Sequence, residues 1–349
     1  MAKIQFPKKE EQSCYLDPRE GFSNKSMPFE VRRDCLTGHV SRILSFRRKY
    51  PEVTISPELL EASRKICPFC PERIASSTPD FPPDIIPEGK MKRGSAWLFP
   101  NAFPYARYSG VIVLSQEHFL YPDQFTVDVL KDGFVLAQEG IKRITLSRPE
   151  FQYSYINWNY LPSAGAGLYH PHLQIIVEDT PTFSHQKVLE GLGRYSNDGD
   201  FSFWEEYIVE EIKIGERYIG RQGEVHFISA FSPRGVFGEI IFLFSNRRSV
   251  DEITEEDWMY FSKGLVKVLG YLKGHTPSFN LSLFSGGLRG SGSRVYGSLC
   301  PRMLIPPWNI SDINYFEKLH GEVVCVVSPE ELAGSLRTSF AQAPDHSVQ

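Results

Sequence analysis

Two stretches of the chain carry apolar residues at helical spacing. Leu130, Phe134, Ala137, Ile141 and Ile144 recur four and three apart, and Trp258, Phe261, Leu265, Val268 and Leu272 do so three and four apart. Each set falls on one face of a 3.6-period helix, which predicts two amphipathic helices packed on one side only. Thr254 followed by Asp257 is a variant capping box and starts the second helix. The first is predicted to end near Pro149 and the second near Gly274.

The patterns around these helices also recur. Phe99 to Ser115 and Phe227 to Ser245 each run from an Ala-Phe turn through an irregular stretch to a glycine and a β-rich apolar run. After each helix comes a β-rich segment, Phe151–Tyr160 and then Ser278–Phe284. A glycine-rich loop follows, at Ser163-Ala164-Gly165-Ala166-Gly167 and at Ser285-Gly286-Gly287, and then a last strand. A duplicated order of this kind predicts two α+β domains of one fold, each an antiparallel sheet with a packed helix. They cover residues 1–180 and 201–330. Between them, residues 181–200 are read as a linker, because Pro181, Gly191, Gly193, Asn197, Asp198 and Gly199 break regular structure. The polar tail at 331–349 is read as disordered.

Composition narrows the function. A chain of 349 residues with 41% hydrophobic content can fill two cores, whereas a net charge of −4 and a pI near 6.2 lack the basic stripe of a nucleic-acid binder. No apolar run reaches the length of a signal peptide core or a membrane span, so a cytoplasmic protein is expected. Six scattered cysteines do not make a disulfide scaffold, which leaves the close pair Cys67/Cys70 as the notable one.

On the last strand of the first half, His170, His172 and Gln174 take alternate positions and share one face. Two imidazoles and an amide side by side can bind a metal, attack phosphorus or hydrogen-bond phosphate oxygens. Cys67-Pro68-Phe69-Cys70 has two readings. A redox dithiol needs a buried strand leading into the first cysteine, and the polar, helical Leu60–Ile66 does not supply one. Half of a tetrahedral zinc site, with His118 and His170 as available partners, is the favoured alternative.

These motifs together resemble galactose-1-phosphate uridylyltransferase and its relatives, the transferase branch of the histidine-triad superfamily. The resemblance runs through Arg33-Asp34-Cys35-Leu36-Thr37-Gly38 to Arg47, then Cys67–Cys70, Phe99-Pro100-Asn101, Val111–His118, Asn159, Gly165 and His170-Pro171-His172-Leu173-Gln174. It implies two tandem histidine-triad-like domains, the second degenerate. It further implies structural zinc on Cys67, Cys70, His118 and His170, with His172 as nucleophile and Gln174 as a donor to phosphoryl oxygens. Arg47, Asn101, Asn159 and the turn Gly165, Ala166, Gly167 would lie near the nucleotide. The implied activity moves a nucleoside monophosphate between a nucleotide sugar and a sugar 1-phosphate, in a homodimer. The alternatives are a phosphorylase acting on a nucleotide sugar or dinucleoside polyphosphate with inorganic phosphate, and a catalytically silent, zinc-stabilised binding module. Tyr50, Ala102 and Gly167 depart from the family pattern, and Tyr296-Gly297-Ser298 cannot supply the His-x-His pair of a second metal site. These changes bear on base and sugar specificity.

Overall fold

The computed structural model describes residues 4–44, 55–196, 202–286, 292–305 and 310–341. The chain opens with a long hairpin, β1 (Lys8–Asp17) and β2 (Ser23–Arg33), followed by β3 (Val40–Leu44). Helix α1 (Pro57–Ile66) and the short α2 (Ile74–Ser77) flank Cys67–Cys70. The first repeat then runs β4 (Met91–Arg93), β5 (Ala96–Pro100), β6 (Tyr108–Val113), α3 (Val127–Ser147), β7 (Tyr153–Tyr160) and β8 (His172–Glu178). Helices α4 (Phe183–Ser196) and α5 (Phe203–Ile214) lead into the second repeat. That repeat runs β9 (Tyr218–Gln222), β10 (Val225–Ser229), β11 (Ile240–Phe244), α6 (Glu255–Lys273), β12 (Ser278–Ser285) and β13 (Tyr296–Arg302). The remaining elements are β14 (Leu304–Ile305), β15 (Ile310–Ser311), α7 (Tyr315–His320), β16 (Val323–Cys325) and α8 (Pro329–Ala341).

The fold is α+β, and the repeats do not form two separate sheets. They join in one ten-stranded sheet of order β4-β5-β6-β8-β7-β12-β13-β11-β10-β9, in which the second five strands mirror the first five. The seam is the antiparallel pair β7·β12, with Asn157 opposite Ser282 and Asn159 opposite Asn280. Both amphipathic helices lie on the same face of this sheet and pack on each other. Phe134 of α3 stacks on Trp258 of α6 at 5.3 Å. The predicted start of α6 is present as a capping box between Thr254 and Asp257, and Gly274 follows its last turn.

Buried between these helices, Gln138 donates to the carbonyls of Val250 and Ile253 and accepts from Trp258 Nε1 at 3.0 Å. Its amide thereby serves three groups of the second repeat that no water reaches. We expect Gln138→Ala to lower stability by about 2–4 kcal/mol, since each orphaned buried group costs about 1–3 kcal/mol. Urea unfolding monitored by tryptophan fluorescence reads this out, and a loss below about 0.5 kcal/mol would show that the amide is dispensable.

Two expectations are corrected. Where a broken linker is predicted, α4 occupies residues 183–196. Gly191 serves close packing there, because a Cβ on it would meet Leu36 O at 2.4 Å. It is a contact glycine and not a helix breaker. The predicted disordered tail likewise begins inside α8, whose Leu332, Ala333 and Leu336 are buried in the main core. Arg32, itself buried, holds this helix through paired hydrogen bonds to the Glu330 carboxylate at 2.8 and 3.0 Å. Outside the large sheet, β1-β2-β3-β16 form a four-stranded sheet closed by the parallel pair β3·β16.

Candidate active site and metal centre

The face of the large sheet opposite α3 and α6 carries the polar residues. Leu173, Ile175 and Val177 of β8 join the core under α3, so strand alternation sends His172 and Gln174 to the other side. His172 pairs across the sheet with Val113, and Gln174 with Val111 and Asn157. His170 and Pro171 precede β8, and the His170 ring turns back towards the Cys67–Cys70 turn.

That turn forms as it does because α1 ends at Ile66, after which Cys67 is extended and the Ile74 amide closes back on the Cys70 carbonyl at 3.0 Å. The Arg73 guanidinium clasps the turn through Cys67 O at 2.8 Å. Cys67, Cys70, His118 and His170 converge so that one ligand atom from each lies within 4.8 Å of all the others, and all four are buried. Cys70 Sγ is 3.4 Å from His118 Nδ1 and 3.8 Å from His170 Nδ1, and Cys67 Sγ is 3.7 Å from His170 Nδ1. Metal bonds of about 2.3 Å to sulfur and about 2.0 Å to nitrogen give tetrahedral edges of roughly 3.3–3.8 Å, so this spacing fits one small ion.

The second ring nitrogens are committed elsewhere. His170 Nε2 donates to the Ser115 carbonyl at 2.9 Å, and His118 Nε2 meets Ser63 Oγ at 2.7 Å. The His170 bond fixes a tautomer whose Nδ1 lone pair points into the cluster, which is the outer-shell arrangement of metal-bound histidines. Burial pushes the His170 pKa down to about 4 and raises that of the Cys67 thiol to about 11. The cysteines are free thiols, with no disulfide between Cys67 and Cys70.

His172 lies beside this cluster. Its Nδ1 donates to the His170 carbonyl at 2.7 Å, so Nε2 holds the lone pair. Burial favours the neutral ring. Phe69, from within the Cys67–Cys70 turn, packs its ring edge-on to His172 at 5.3 Å. The imidazole is thus held from two sides, by the backbone of His170 and by the ring of Phe69.

The remaining candidates are distributed less simply. Gln174 Oε1 accepts a hydrogen bond from Tyr105 Oη at 2.8 Å, and its NH2 group has no acceptor among the described residues. Asn159 Oδ1 accepts from Asn280 Nδ2 at 2.7 Å, and the same Nδ2 bonds Ala164 O at 2.8 Å. The second repeat therefore braces the Gly165–Gly167 turn of the first. Gly165 stands at φ 90°, and the space around Gly167 is open. Asn101 Oδ1 is spent on its own loop, accepting from Phe103 N at 3.0 Å. Among the described residues, no hydrogen bond joins Asn101, Asn159, Gly165, Ala166 or Gly167 to His172. Arg47 and Tyr50 lie outside the described residues. Tyr105, Asn280 and Ser63 are absent from the sequence-based set. Each reaches the site from a separate segment, and no spacing within the sequence marks it.

With this geometry in place, comparison with other proteins becomes informative. No family profile matches the chain. An uncharacterized protein of Archaeoglobus fulgidus is 30% identical over 315 residues, covering 90% of this chain and 93% of the relative. The two chains belong to one family. Solved structures extend the relationship at the level of fold. An ADP-glucose phosphorylase from Arabidopsis thaliana with bound ADP-glucose superposes with a TM-score of 0.66 at 17% identity, covering 88% of this chain and 98% of that one. A galT-like protein from the same plant gives 0.65 at 16%, covering 88% and 98%. A uridylyltransferase gives 0.64 at 16%, covering 89% and 98%. This chain thus shares the fold of these structures over nearly its whole length. No helix among the described residues is long and apolar enough to cross a membrane.

Proposed function

We propose that the protein is a nucleotidyltransferase that passes a nucleoside monophosphate through His172, between a nucleotide sugar and a sugar 1-phosphate. One observation carries this reading: the Nδ1–H bond to the His170 carbonyl leaves Nε2 as a fixed, unprotonated nucleophile next to a free amide donor. In the forward half-reaction Nε2 attacks the α-phosphorus. An N–P bond forms, the P–O bond to the leaving sugar phosphate breaks, and the sugar 1-phosphate departs with the electron pair. The ring then carries a positive charge, which the His170 carbonyl stabilises through Nδ1–H. A second sugar 1-phosphate reverses these steps and returns the electron pair to Nε2. Splitting one displacement into two in this way gives ping-pong kinetics.

Gln174 cannot shuttle a proton, and a phosphate leaving group needs none at neutral pH. Its role in this scheme is to donate from Nε2 to a phosphoryl oxygen, and Tyr105 holds the amide in the orientation that allows it. Tyr105→Phe is expected to lower kcat by about three- to tenfold, the worth of one neutral hydrogen bond, with KM for the nucleotide sugar nearly unchanged. A change in KM alone would give Tyr105 a binding role instead. Cys67, Cys70, His118 and His170 would hold zinc in a site closed by four protein ligands, where the ion shapes the strand and takes no part in bond-making.

Isotope exchange tests the activity. The protein is incubated with UDP-glucose, ADP-glucose or GDP-mannose and a labelled sugar 1-phosphate. Label entering the nucleotide sugar is the expected result. Formation of a nucleoside diphosphate when inorganic phosphate is added would instead make the enzyme a phosphorylase, since label exchanges through the shared first half-reaction in either case. Neither reaction with any donor would leave a binding module.

A further inference from the structure

The loop Asp34–His39 and the second repeat are not used by the chemistry at His172, yet they enclose a hollow of their own. It lies on the same face of the large sheet as His172, beneath α4 and α5, with a cavity of about 60 Å³. Tyr296 and Ser298 of β13 line it from the strand that corresponds to β8. Arg234 enters from the β10–β11 loop, the counterpart of the loop that brings Tyr105 to Gln174. The hollow is thus the second repeat's version of the first repeat's site, without its histidines.

Its polar lining is incompletely paired. Trp204 Nε1 and His39 Nε2 are buried and have no hydrogen-bond partner among the described residues. The Arg234 guanidinium has no hydrogen bond or ion pair among the described residues, although its backbone N donates to Glu239 at 2.8 Å. Asp34 spends one oxygen, Oδ1, on Leu36 N, Thr37 N and Thr37 Oγ1, which leaves Oδ2 open. Glu239 is already bonded by Ser298 Oγ at 2.5 Å. The residues that carry these free donors and acceptors therefore line one cavity, and unpaired buried groups of this kind call for a partner.

Charge selects among partners. One guanidinium stands with two carboxylates, Asp34 and Glu239, so a phosphate or carboxylate would enter a region already net negative. His39, Asp34 and Glu239 do not converge as a metal site, since Cys67, Cys70, His118 and His170 form the single such cluster among the described residues. A neutral hydroxyl-bearing molecule meets neither objection. Each hydroxyl both donates and accepts, which suits Arg234 and Trp204 Nε1 on one side and Asp34 Oδ2 and His39 Nε2 on the other. The buried rings of Trp204 and Tyr296, stacked at 5.2 Å, supply an apolar wall for its carbon skeleton.

We propose that this hollow is a second ligand site, separate from His172, that takes the hydroxylated edge of a neutral polyol such as a small sugar or sugar alcohol. The test is saturation-transfer NMR on the full chain at millimolar concentrations of glycerol, ribose, glucose, galactose and myo-inositol, with inorganic phosphate as the anionic probe. At least one polyol should bind, and phosphate should not displace it. Trp204→Phe keeps the ring stack and removes only the N–H, so it should weaken binding by about three- to tenfold. Arg234→Gln should weaken it at least as much, and His172→Ala should leave it unchanged. The proposal is overturned if no polyol binds, if binding ignores Arg234→Gln and Trp204→Phe, or if phosphate binds in place of the polyol. It is equally overturned if His172→Ala abolishes binding, or if crystals grown with the polyols show water alone on Trp204 Nε1 and His39 Nε2. None of these results depends on whether the protein transfers nucleotides.

Discussion

The purified protein is expected to contain one zinc ion per chain, and Cys67→Ser is expected to lose it. Three of the ligand-atom pairs already stand at tetrahedral edge distances, all four atoms lie within 4.8 Å of one another, and both rings are oriented, by Ser115 and Ser63. Little reorganisation therefore opposes binding, and the binding free energy adds to folding free energy. In Cys67→Ser the remaining thiol and two histidines would be buried beside a hydroxyl that binds zinc poorly. A fall in Tm of roughly 10 °C is expected, at about 2–4 °C per kcal/mol for a domain of this size. Metal analysis by mass spectrometry and differential scanning calorimetry check the two parts. The loss should reach the chemistry as well, because the carbonyl of His170 and the ring of Phe69 position His172. A protein isolated without metal that is fully active and unchanged in Tm would refute the structural role.

The second large effect concerns the nucleophile. His172→Ala should reduce exchange by ~10⁴-fold or more, as removal of a covalent nucleophile does in other enzymes, while leaving Tm close to that of the native chain. Gln174→Ala should reduce kcat by about 10²-fold, in line with the loss of one donor to developing phosphoryl charge. The two losses should not multiply in the double variant, since without the nucleophile there is no transition state for the amide to stabilise. Steady-state exchange rates for the three variants decide this. A His172→Ala enzyme retaining more than a few per cent of activity would place the bond-making elsewhere.

The sequence was legible where short-range pattern and tertiary burial agree. Helices α3 and α6 bury one stripe each, so the apolar residues at period 3.6 mark them directly. Cys67 and Cys70 stood out from the other cysteines by their close spacing, and the family resemblance added His118 and His170, which the structure brings together with them. Elements whose reason lies across the chain were not legible. Gly191 looks like a breaker until Leu36 is seen against it. The hairpin β1–β2 has almost no buried positions, so its strands carry no inside–outside alternation to read. The fusion of both repeats at β7·β12 rests on pairs such as Asn159 with Asn280, residues 121 positions apart. Tyr105 escaped notice for the same reason, reaching Gln174 from 69 positions away.

The proposed transfer requires a covalent bond between His172 and a nucleotide, and intact-protein mass spectrometry looks for that bond itself. The chain is incubated with UDP-glucose, ADP-glucose, GDP-mannose and a dinucleoside tetraphosphate in turn, without acceptor. The account predicts that one donor adds the mass of a single nucleoside monophosphate, that peptide mapping places it on His172, and that a sugar 1-phosphate discharges it as nucleotide sugar. An adduct on any other residue, or turnover by exchange with no adduct under conditions that trap one, would contradict it.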